Sequence, residues 1–557
     1  MCAITGLIKP NNETVYFEEL QSLAEPLLHR SPDGSGHFIE KSVGLYHGRL
    51  AIHDLSTQGK QPFATPRGVH AIVNGEIYNY LDLKKQLERG NPDIHWQSHS
   101  DCEVIPYLYE KYGYNFVEHL RGMFAIALYD SHQQELIVCR DPFGMKQLYY
   151  FQDADGFYFA SEMTPLIQHL EQKKISLPVL QEIGQLHFDT TADTIIKNIK
   201  RVLPGETLSI SNAKIKARGY YPDKLGFPPG PVTSPRHYPL TQALDDFDRV
   251  FEETINLHLQ ADVPVGLFLS GGIDSSCILT MAKRLQKQPI HTYTIGFDSN
   301  ETHDERHVAA ALAKQFDTTH CNIEFSADDF WALLPYAIQA TDDPTADYAI
   351  VPTFRLAQEA SKDVTVVLSG EGGDEVFAGY GRYRSFIRPL WQKRRDLYRK
   401  GDLSRLGLLK YDLRTWQRHI DEIKQACFKK RYNRLYTAQI IDMQTWLPND
   451  LLIKLDRCLM RHGLEGRTPF LDIDVMKFAN TLPEAYKIKG KQGKWILRQW
   501  LAKHLPNYDA LTHKKGFTVP IQAWLEAKRE PIRTLLLENE FIESFVLKKK
   551  LKKLLDV

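Results

Sequence analysis

The sequence predicts a multidomain α/β protein: a strand-rich α+β or sandwich-like N-terminal unit, then a doubly wound parallel α/β unit with a helical C-terminal part. Three observations carry this. Short β-branched and aromatic runs such as VHAIVNG at 69–75 and MFAIALYD at 123–130, broken by turn signals, fill the first part of the chain. Six prolines then fall in PDKLGFPPGPVTSPRHYP at 222–239, a density that prevents both helix and central strand. Beyond them the strand candidates VGLFLSG (265–271), TYTIGFD (292–298) and VTVVLSG (364–370) alternate with the helical patterns SSCILTMAKRLQ and ERHVAAALAKQF, the order that builds a parallel sheet with helices on both faces.

The proline-rich stretch divides the chain into residues 1–221, a linker at 222–239, and residues 240–557. A chain of 557 residues is long enough for more than one core. From about residue 380 the pattern is helical and charged, and RPLWQKRRDLYRK at 388–400 reads as a solvated helix face. Basic and acidic residues balance at 69 each, so no global field is available to hold nucleic acid or an anionic membrane, and small-molecule partners are expected. No apolar run approaches the ~18–20 residues that span a bilayer, and the N-terminus lacks signal-peptide order, so a cytoplasmic protein is expected. Seven widely spaced cysteines argue against a disulfide framework or a thiolate zinc site, and six of them read as ordinary buried thiols.

The exception is Cys2. Removal of Met1 would leave a residue carrying both a thiol and a free α-amine, whose ordinary pKa values of about 8.5 and about 8 let one serve as base for the other. It stands in company with HRSPDG (29–34), HGRLAIHDL (47–55), QPF (61–63), NGEIYNY (74–80), SDCEVI (100–105) and RDPFGMKQLYYF (140–151). With these motifs the N-terminal half closely resembles class II glutamine amidotransferases. The resemblance implies an N-terminal-nucleophile (Ntn) hydrolase sandwich in which Cys2 attacks the glutamine carboxamide, and Asn74 with the Gly75 backbone N–H forms an oxyanion hole. It further implies that Arg49 takes the α-carboxylate of glutamine, and Glu76 and Asp101 its α-ammonium, opposite charges suited to a zwitterion. By itself Asn74-Gly75 would be a hairpin turn. Ser31 stands where the family has glycine, which questions the loop if it needs a positive φ.

In the second half SGGIDSS at 270–276 lies between a predicted strand and a predicted helix, where Gly271 and Gly272 let backbone N–H groups close around an anion. No lysine follows them, which disfavours a Walker-type loop. The string resembles the PP-loop of ATP pyrophosphatases, which make an adenylate and pyrophosphate. Asp274 inside a phosphate loop calls for a bridging cation, Mg²⁺, and SGEGGDEVFAGY at 369–380 offers Asp374 as second ligand. By the same resemblance Ser270 and Ser275 contact phosphate, Leu269, Ile295, Ser369 and Gly370 belong to the ATP site, Glu371 holds or deprotonates ammonia, and Lys494 of GKWILR neutralises phosphate charge in the transition state. HDERHVAA (303–310), LPNDLLIKLDRCLM (447–460), EGRTPFLD (465–472) and HKKGFTVP (513–520) extend the likeness almost end to end.

The whole chain thus resembles the glutamine-hydrolysing asparagine synthetase family. The resemblance implies ATP and L-glutamine as substrates, L-aspartate or another carboxylate as acceptor, L-asparagine, AMP and pyrophosphate as products, and a homodimer as a family expectation. Two sites imply an enclosed passage for ammonia, lined by small and apolar residues. EGRTPFLD and LMRHGLEGR depart from the commoner family forms in a region expected beside the acceptor, and Arg467 and Asp347 are candidates for its charges. Two alternatives stay open: the same mechanism on a sugar acid, peptide or other carboxylate, and a sensor of glutamine or ATP without turnover. Retention of Cys2, Asp274, Asp374 and Glu371 together speaks against the sensor.

Overall fold

In the computed structural model the strands of the N-terminal unit are β1 (Ala3–Ile8), β2 (Ser35–Glu40), β3 (Val43–Gly48), β4 (Phe63–Ala64), β5 (Val69–Ile77), β6 (Gly122–Asp130), β7 (Glu135–Arg140), β8 (Tyr149–Gln152), β9 (Phe157–Ala160), β10 (Lys200–Arg201), β11 (Glu206–Ser211) and β12 (Lys214–Tyr220). The structure describes residues 2–220, 238–297, 306–389, 392, 396–398, 401–411, 415–506, 508–510 and 519–556. The proline-rich linker lies almost wholly outside these, as do most of the basic run at 388–400 and much of the motifs at 303–310 and 513–520.

These strands form two six-stranded sheets, in the orders β10-β8-β9-β1-β3-β2 and β12-β11-β7-β6-β5-β4, with antiparallel pairing throughout. Ile4, Val43, Leu45, Ile72, Ala127, Val138, Phe159 and Leu208 pack between the sheets. The outer faces are covered as well: the helix Phe17–Ala24 lies on β1 and β3, and the helix Val104–Tyr112 on β5. A strand buried on both faces has no polar side to show, and for this reason MFAIALYD reads as a continuous apolar run instead of an alternation.

The second unit is built on a five-stranded parallel sheet of β13 (Val265–Phe268), β14 (His291–Phe297), β15 (Thr319–Phe325), β16 (Val366–Leu368) and β17 (Glu465–Arg467), in the order β15-β14-β13-β16-β17. Chain order reverses at β13. From there one succession runs outward through β14 and β15 and the other through β16 and β17. Such a switch point leaves a crevice beyond the carboxyl ends of the two central strands. Three strands sit where the sequence predicts them. The other two are not picked out by the sequence: β15 (THCNIEF) alternates only over its second half, burying Ile323 and Phe325 and exposing Asn322 and Glu324, and β17 (EGR) is a three-residue charged strand. Among the described residues no helix is long and apolar enough to cross a membrane.

Buried charge pairs hold the two units together. Arg201, from the N-terminal unit, lays a fork on Asp343 of the second unit, with Nε to Oδ2 at 2.7 Å and Nη2 to Oδ1 at 2.6 Å, and Nη2 also meets Asp189 at 2.7 Å. Tyr149 Oη donates to the same Asp343 at 2.8 Å. Arg121 reaches across to Asp472, Glu253 and Asp474. Breaking a buried pair strands its partner charge in low dielectric. Arg201→Met is therefore expected to destabilise the chain by about 3–5 kcal/mol, read as a lowered urea midpoint. Lys85→Met, which removes one half of an exposed pair with Asp82, should leave that midpoint unmoved.

Candidate functional site

The first candidate site opens where β1 begins. Cys2 is buried, its backbone nitrogen donates to Asn74 Oδ1 at 3.1 Å, and its Sγ lies 3.8 Å from the Leu50 carbonyl. Removal of Met1 makes that nitrogen the α-amine. Because Oδ1 is spent on Cys2, Asn74 presents its amide Nδ2, which is buried with no partner among the described residues. The Asn74-Gly75 pair does not turn a hairpin. It lies inside β5, paired with Ala125 and Phe124 of β6. A Cβ at position 75 would meet the Met123 carbonyl oxygen at 2.0 Å, so the close approach of β6 requires glycine there.

Arg49, Glu76 and Asp101 line the same cleft with Cys2, Gly75, His53 and Cys102. Arg49 is engaged by the loop that follows it, donating to the carbonyls of Ser56 at 2.7 Å and of Asp54. Asp101 Oδ2 accepts from Ile77 N at 2.7 Å. Glu76 Oε2 stands 3.2 Å from His53 Nε2 and 3.3 Å from Arg467 Nη2 of the second unit. Burial works against a charged His53, yet Glu76 overrides it and lifts the imidazole to about 9. The cleft holds about 20 Å³, room for little more than a water. Its loop is tied to the second unit, since Asp262 N donates to the Ile52 carbonyl at 3.0 Å and Asp262 Oδ2 accepts from Asp54 N at 2.8 Å. Ser31 has φ −129° and needs no positive value, and its Oγ occupies the space a Cβ would take at Gly48.

The second site is the crevice at the switch point, a cavity of about 390 Å³. Leu269, Ser270, Asp274, Ser275, Ile295, Ser369, Gly370, Glu371 and Asp374 all line it, brought together from the carboxyl ends of β13, β14 and β16. Gly271 adopts φ +72°, a left-handed turn that lets the chain enter the helix Ile273–Leu285 at Gly272. Inside the loop Ser275 Oγ accepts from Ser270 N at 3.3 Å and lies 3.2 Å from Ser270 Oγ. Lys494 is buried beneath, its ammonium bonded to Asp274 and 2.7 Å from Asp374 Oδ1. Two carboxylates at a phosphate loop suit Mg²⁺, which binds through one or two carboxylates with phosphate oxygens supplying the rest. No cluster of three acidic, histidine or cysteine side chains fit to cage a metal occurs among the described residues.

The two acceptor candidates do not converge. Asp347 lines this cavity, where its Oδ2 accepts from Lys454 Nζ at 2.7 Å. Arg467 lies behind the first cleft, against Glu76, and no residue of EGRTPFLD lines the nucleotide cavity. That stretch runs along the interface instead, with Thr468 Oγ1 3.1 Å from Met145 Sδ. Met460, of the other departing segment, packs beneath Leu50 and Ile52 of the cleft loop. The altered motifs therefore lie along the interface and line no part of the nucleotide cavity.

Several contributors carry no chemical signature in the sequence. Lys454 lies in a motif without evident chemistry, and Arg30 of HRSPDG links the Cys2 carbonyl at 3.2 Å to Glu162 and Asp456. Cys102 shares the cleft of Cys2 but is buried as expected of an ordinary thiol, whereas Cys321 is half-exposed and departs from that expectation. Between the sites lies a small cavity lined by Met145, Lys146, Leu452, Leu455, Asp456, Gly466 and Thr468. Leu455 also lines the nucleotide cavity.

Comparison with known proteins agrees with this arrangement. Residues 1–221 match the glutamine amidotransferase domain family and residues 246–557 the asparagine synthase family. The chain is 30% identical to glutamine-hydrolyzing asparagine synthetase 1 of Bacillus subtilis (strain 168), over 97% of this chain and 90% of that protein. It is 33% identical to a putative glutamine-hydrolyzing asparagine synthetase of Mycobacterium tuberculosis (strain H37Rv), over 90% and 83%, and 26% identical to the amidase chyE of Penicillium rubens, over 91% and 85%. With two catalytic-type cavities in one chain and both family matches spanning nearly its whole length, the protein belongs to the asparagine synthase family of glutamine-dependent amidotransferases.

Proposed function

We propose that the protein makes L-asparagine from L-aspartate, consuming ATP, L-glutamine and water and releasing AMP, pyrophosphate and L-glutamate. The observation that carries this reading is the pairing, in one chain, of a Cys2 cleft holding a spare amide donor with a phosphate-loop crevice that also contains an acid–base pair, Asp347 and Lys454. In the first cleft the Cys2 thiol attacks the carboxamide carbon. Burial pushes this thiol above its ordinary value, so little thiolate stands ready and the proton must leave during attack, to the α-amine freed by loss of Met1. The oxyanion is met by Asn74 Nδ2 and the Gly75 N–H, donors of a kind worth about 3–4 kcal/mol each. Ammonia departs, a thioester remains on Cys2, and water hydrolyses it to glutamate. Arg49 pairs the substrate carboxylate; Glu76 and Asp101 pair its ammonium.

In the second cavity the acceptor carboxylate attacks the α-phosphorus and pyrophosphate leaves. Ser270, Ser275 and the loop N–H groups hold the phosphates, and Lys494 supplies positive charge as it builds on the leaving group. Mg²⁺, held by Asp274 and Asp374 with phosphate oxygens, would share that charge. Ammonia then displaces AMP from the acyl carbon, with Glu371 taking its proton. It travels by way of the small interdomain cavity, whose lining includes Lys146 and Asp456 and is less apolar than the sequence suggests. Aspartate brings an α-carboxylate and an α-ammonium to the cavity, and Lys454 and Asp347 are opposite charges for them. A larger carboxylate is the second reading, favoured by the aromatic wall of Tyr380 and Trp446, stacked at 5.0 Å, which bare aspartate does not require.

Cys2→Ala is expected to abolish glutamate release while ammonium still supports synthesis; glutamate release at the wild-type rate would remove Cys2 from its role. Asp274→Asn should lose Mg²⁺-dependent conversion of ATP to AMP and pyrophosphate and keep glutamine hydrolysis, and ADP with phosphate as products would contradict the adenylate. A pyrophosphate-release screen over amino-acid, sugar-acid and peptide carboxylates, with mass identification of the amide, decides the acceptor. Aspartate should turn over and succinate should fail by several orders of magnitude, because succinate lacks the α-ammonium that the pocket's carboxylate is there to meet. Robust turnover of another carboxylate with none from aspartate would favour the second reading.

A further inference from the structure

Arg467 belongs to β17 in the sheet of the second unit, yet its side chain backs Glu76, a residue that lines the cleft of Cys2. Most of its donors are committed within its own unit: Nε donates to Glu465 Oε1 at 2.6 Å, and Nη1 to the carbonyls of His258 at 2.9 Å and Gln260 at 2.7 Å. These bonds, and complete burial, keep the guanidinium from swinging out to take a ligand itself. What remains is Nη2, 3.3 Å from Glu76 Oε2 at an ion-pair distance without hydrogen-bond alignment. Glu76 is thus flanked by cations on two sides, His53 on its own unit and Arg467 from the other, while Asp101 and Glu465 face it with like charge. Burial, Asp101 and Glu465 push the Glu76 carboxyl upward, and His53 and Arg467 oppose them.

We propose that Arg467 is a positioning residue of the glutaminase site supplied by the synthetase half: it holds the Glu76 carboxylate where the ammonium group of glutamine must meet it, so that glutamine affinity requires β17 in its docked place. The proposal rests on the reading of Glu76 as a glutamine-binding carboxylate. The Arg467 guanidinium reaches neither the reacting carboxamide nor the nucleotide cavity, and the cleft-lining residue it meets is Glu76. It therefore belongs to substrate affinity and to the ionisation of the site, and not to the rate of attack by Cys2.

The test follows glutamate release by the full-length chain against glutamine concentration and pH, in the unmodified protein, Arg467→Met, Arg467→Lys, Glu76→Gln and the double variant Arg467→Met with Glu76→Gln. Arg467→Met should raise KM for glutamine about tenfold while kcat changes less than about threefold. Its acid limb in kcat/KM should move to higher pH, because loss of a neighbouring cation raises a carboxyl pKa. Arg467→Lys, which keeps the charge without the fork, should raise KM less and leave the acid limb in place. The double variant should be no worse than the poorer single variant, since both act through one carboxylate. Unmoved KM and acid limb in Arg467→Met would overturn the proposal, as would equal loss of kcat in the Met and Lys variants with KM unchanged. If Arg467→Met does not fold, the Lys variant decides: a KM raised about threefold or more supports the proposal and an unmoved KM overturns it. Absence of glutamate release by the unmodified chain would instead strike the glutaminase reading beneath it.

Discussion

Arginines buried between the two units set the geometry on which both sites depend. Arg30, Arg121, Arg201, Arg457 and Arg467 each meet a carboxylate from the opposite unit: Asp456, Asp472, Asp343, Glu162 and Glu76 in turn. Removing a guanidinium from water is costly unless an opposite charge waits at ion-pair distance, so each pair tolerates little displacement. Burial alone would raise the Glu162 carboxyl, but Arg457, His29 and Arg30 hold it well below its usual range. An apolar interface of the same area could slide. A charged one that is dry has a single register.

That register matters because ammonia in bulk water would be largely protonated and no longer nucleophilic. A docking that fixes Asp456 against Arg30, and Arg30 against the Cys2 carbonyl, also fixes the distance from the nucleophile to the cavity bounded by Asp456 and Leu455. The elements that dock are the ones that carry the sites. β5 bears Asn74, Gly75 and Glu76 within four residues of Tyr78, whose N–H bonds the Arg121 carbonyl at 2.8 Å. β17 runs beside β16, and the Ser369 N–H at the nucleotide cavity bonds the Arg467 carbonyl at 2.8 Å.

Much of the fold was legible because local pattern and tertiary role coincide. VGLFLSG and VTVVLSG are short apolar runs ending in glycine loops, and in a doubly wound sheet those loops fall at the crevice, so Ser270, Asp274, Ser369 and Asp374 gather there as their spacing implies. Cys2 and Gly75 share a cleft, with Asn74 bonded to the Cys2 nitrogen, a grouping legible only through the family resemblance. Residues whose meaning is a partner hundreds of positions away were not legible. Arg467 looked like an acceptor ligand because an arginine in a late motif has no local sign of which cavity it faces; it faces Glu76, and β17 is too short and too charged to announce itself as a strand. Lys454 and Arg30 were hidden likewise, one on a helix face and the other in a loop, each defined by a carboxylate from a distant segment.

The nucleotide site shows a further consequence of charge placed by fold. Lys494 enters its helix from a left-handed conformation at φ +55°, which turns the chain so that the ammonium lies under the phosphate loop, between Asp274 and Asp374. Two carboxylates flank this one ammonium where, on the proposed function, a triphosphate binds. Phosphate alone would be repelled there, and loop N–H groups are partial charges only. On the proposed function, a nucleotide arriving with its own divalent cation would reverse the balance: Asp274 and Asp374 would hold the cation, and Lys494 would face the phosphates. On that reading the arrangement would favour the metal–nucleotide pair over the bare nucleotide through electrostatics set before either one binds, with Lys494 as the cation of the trio.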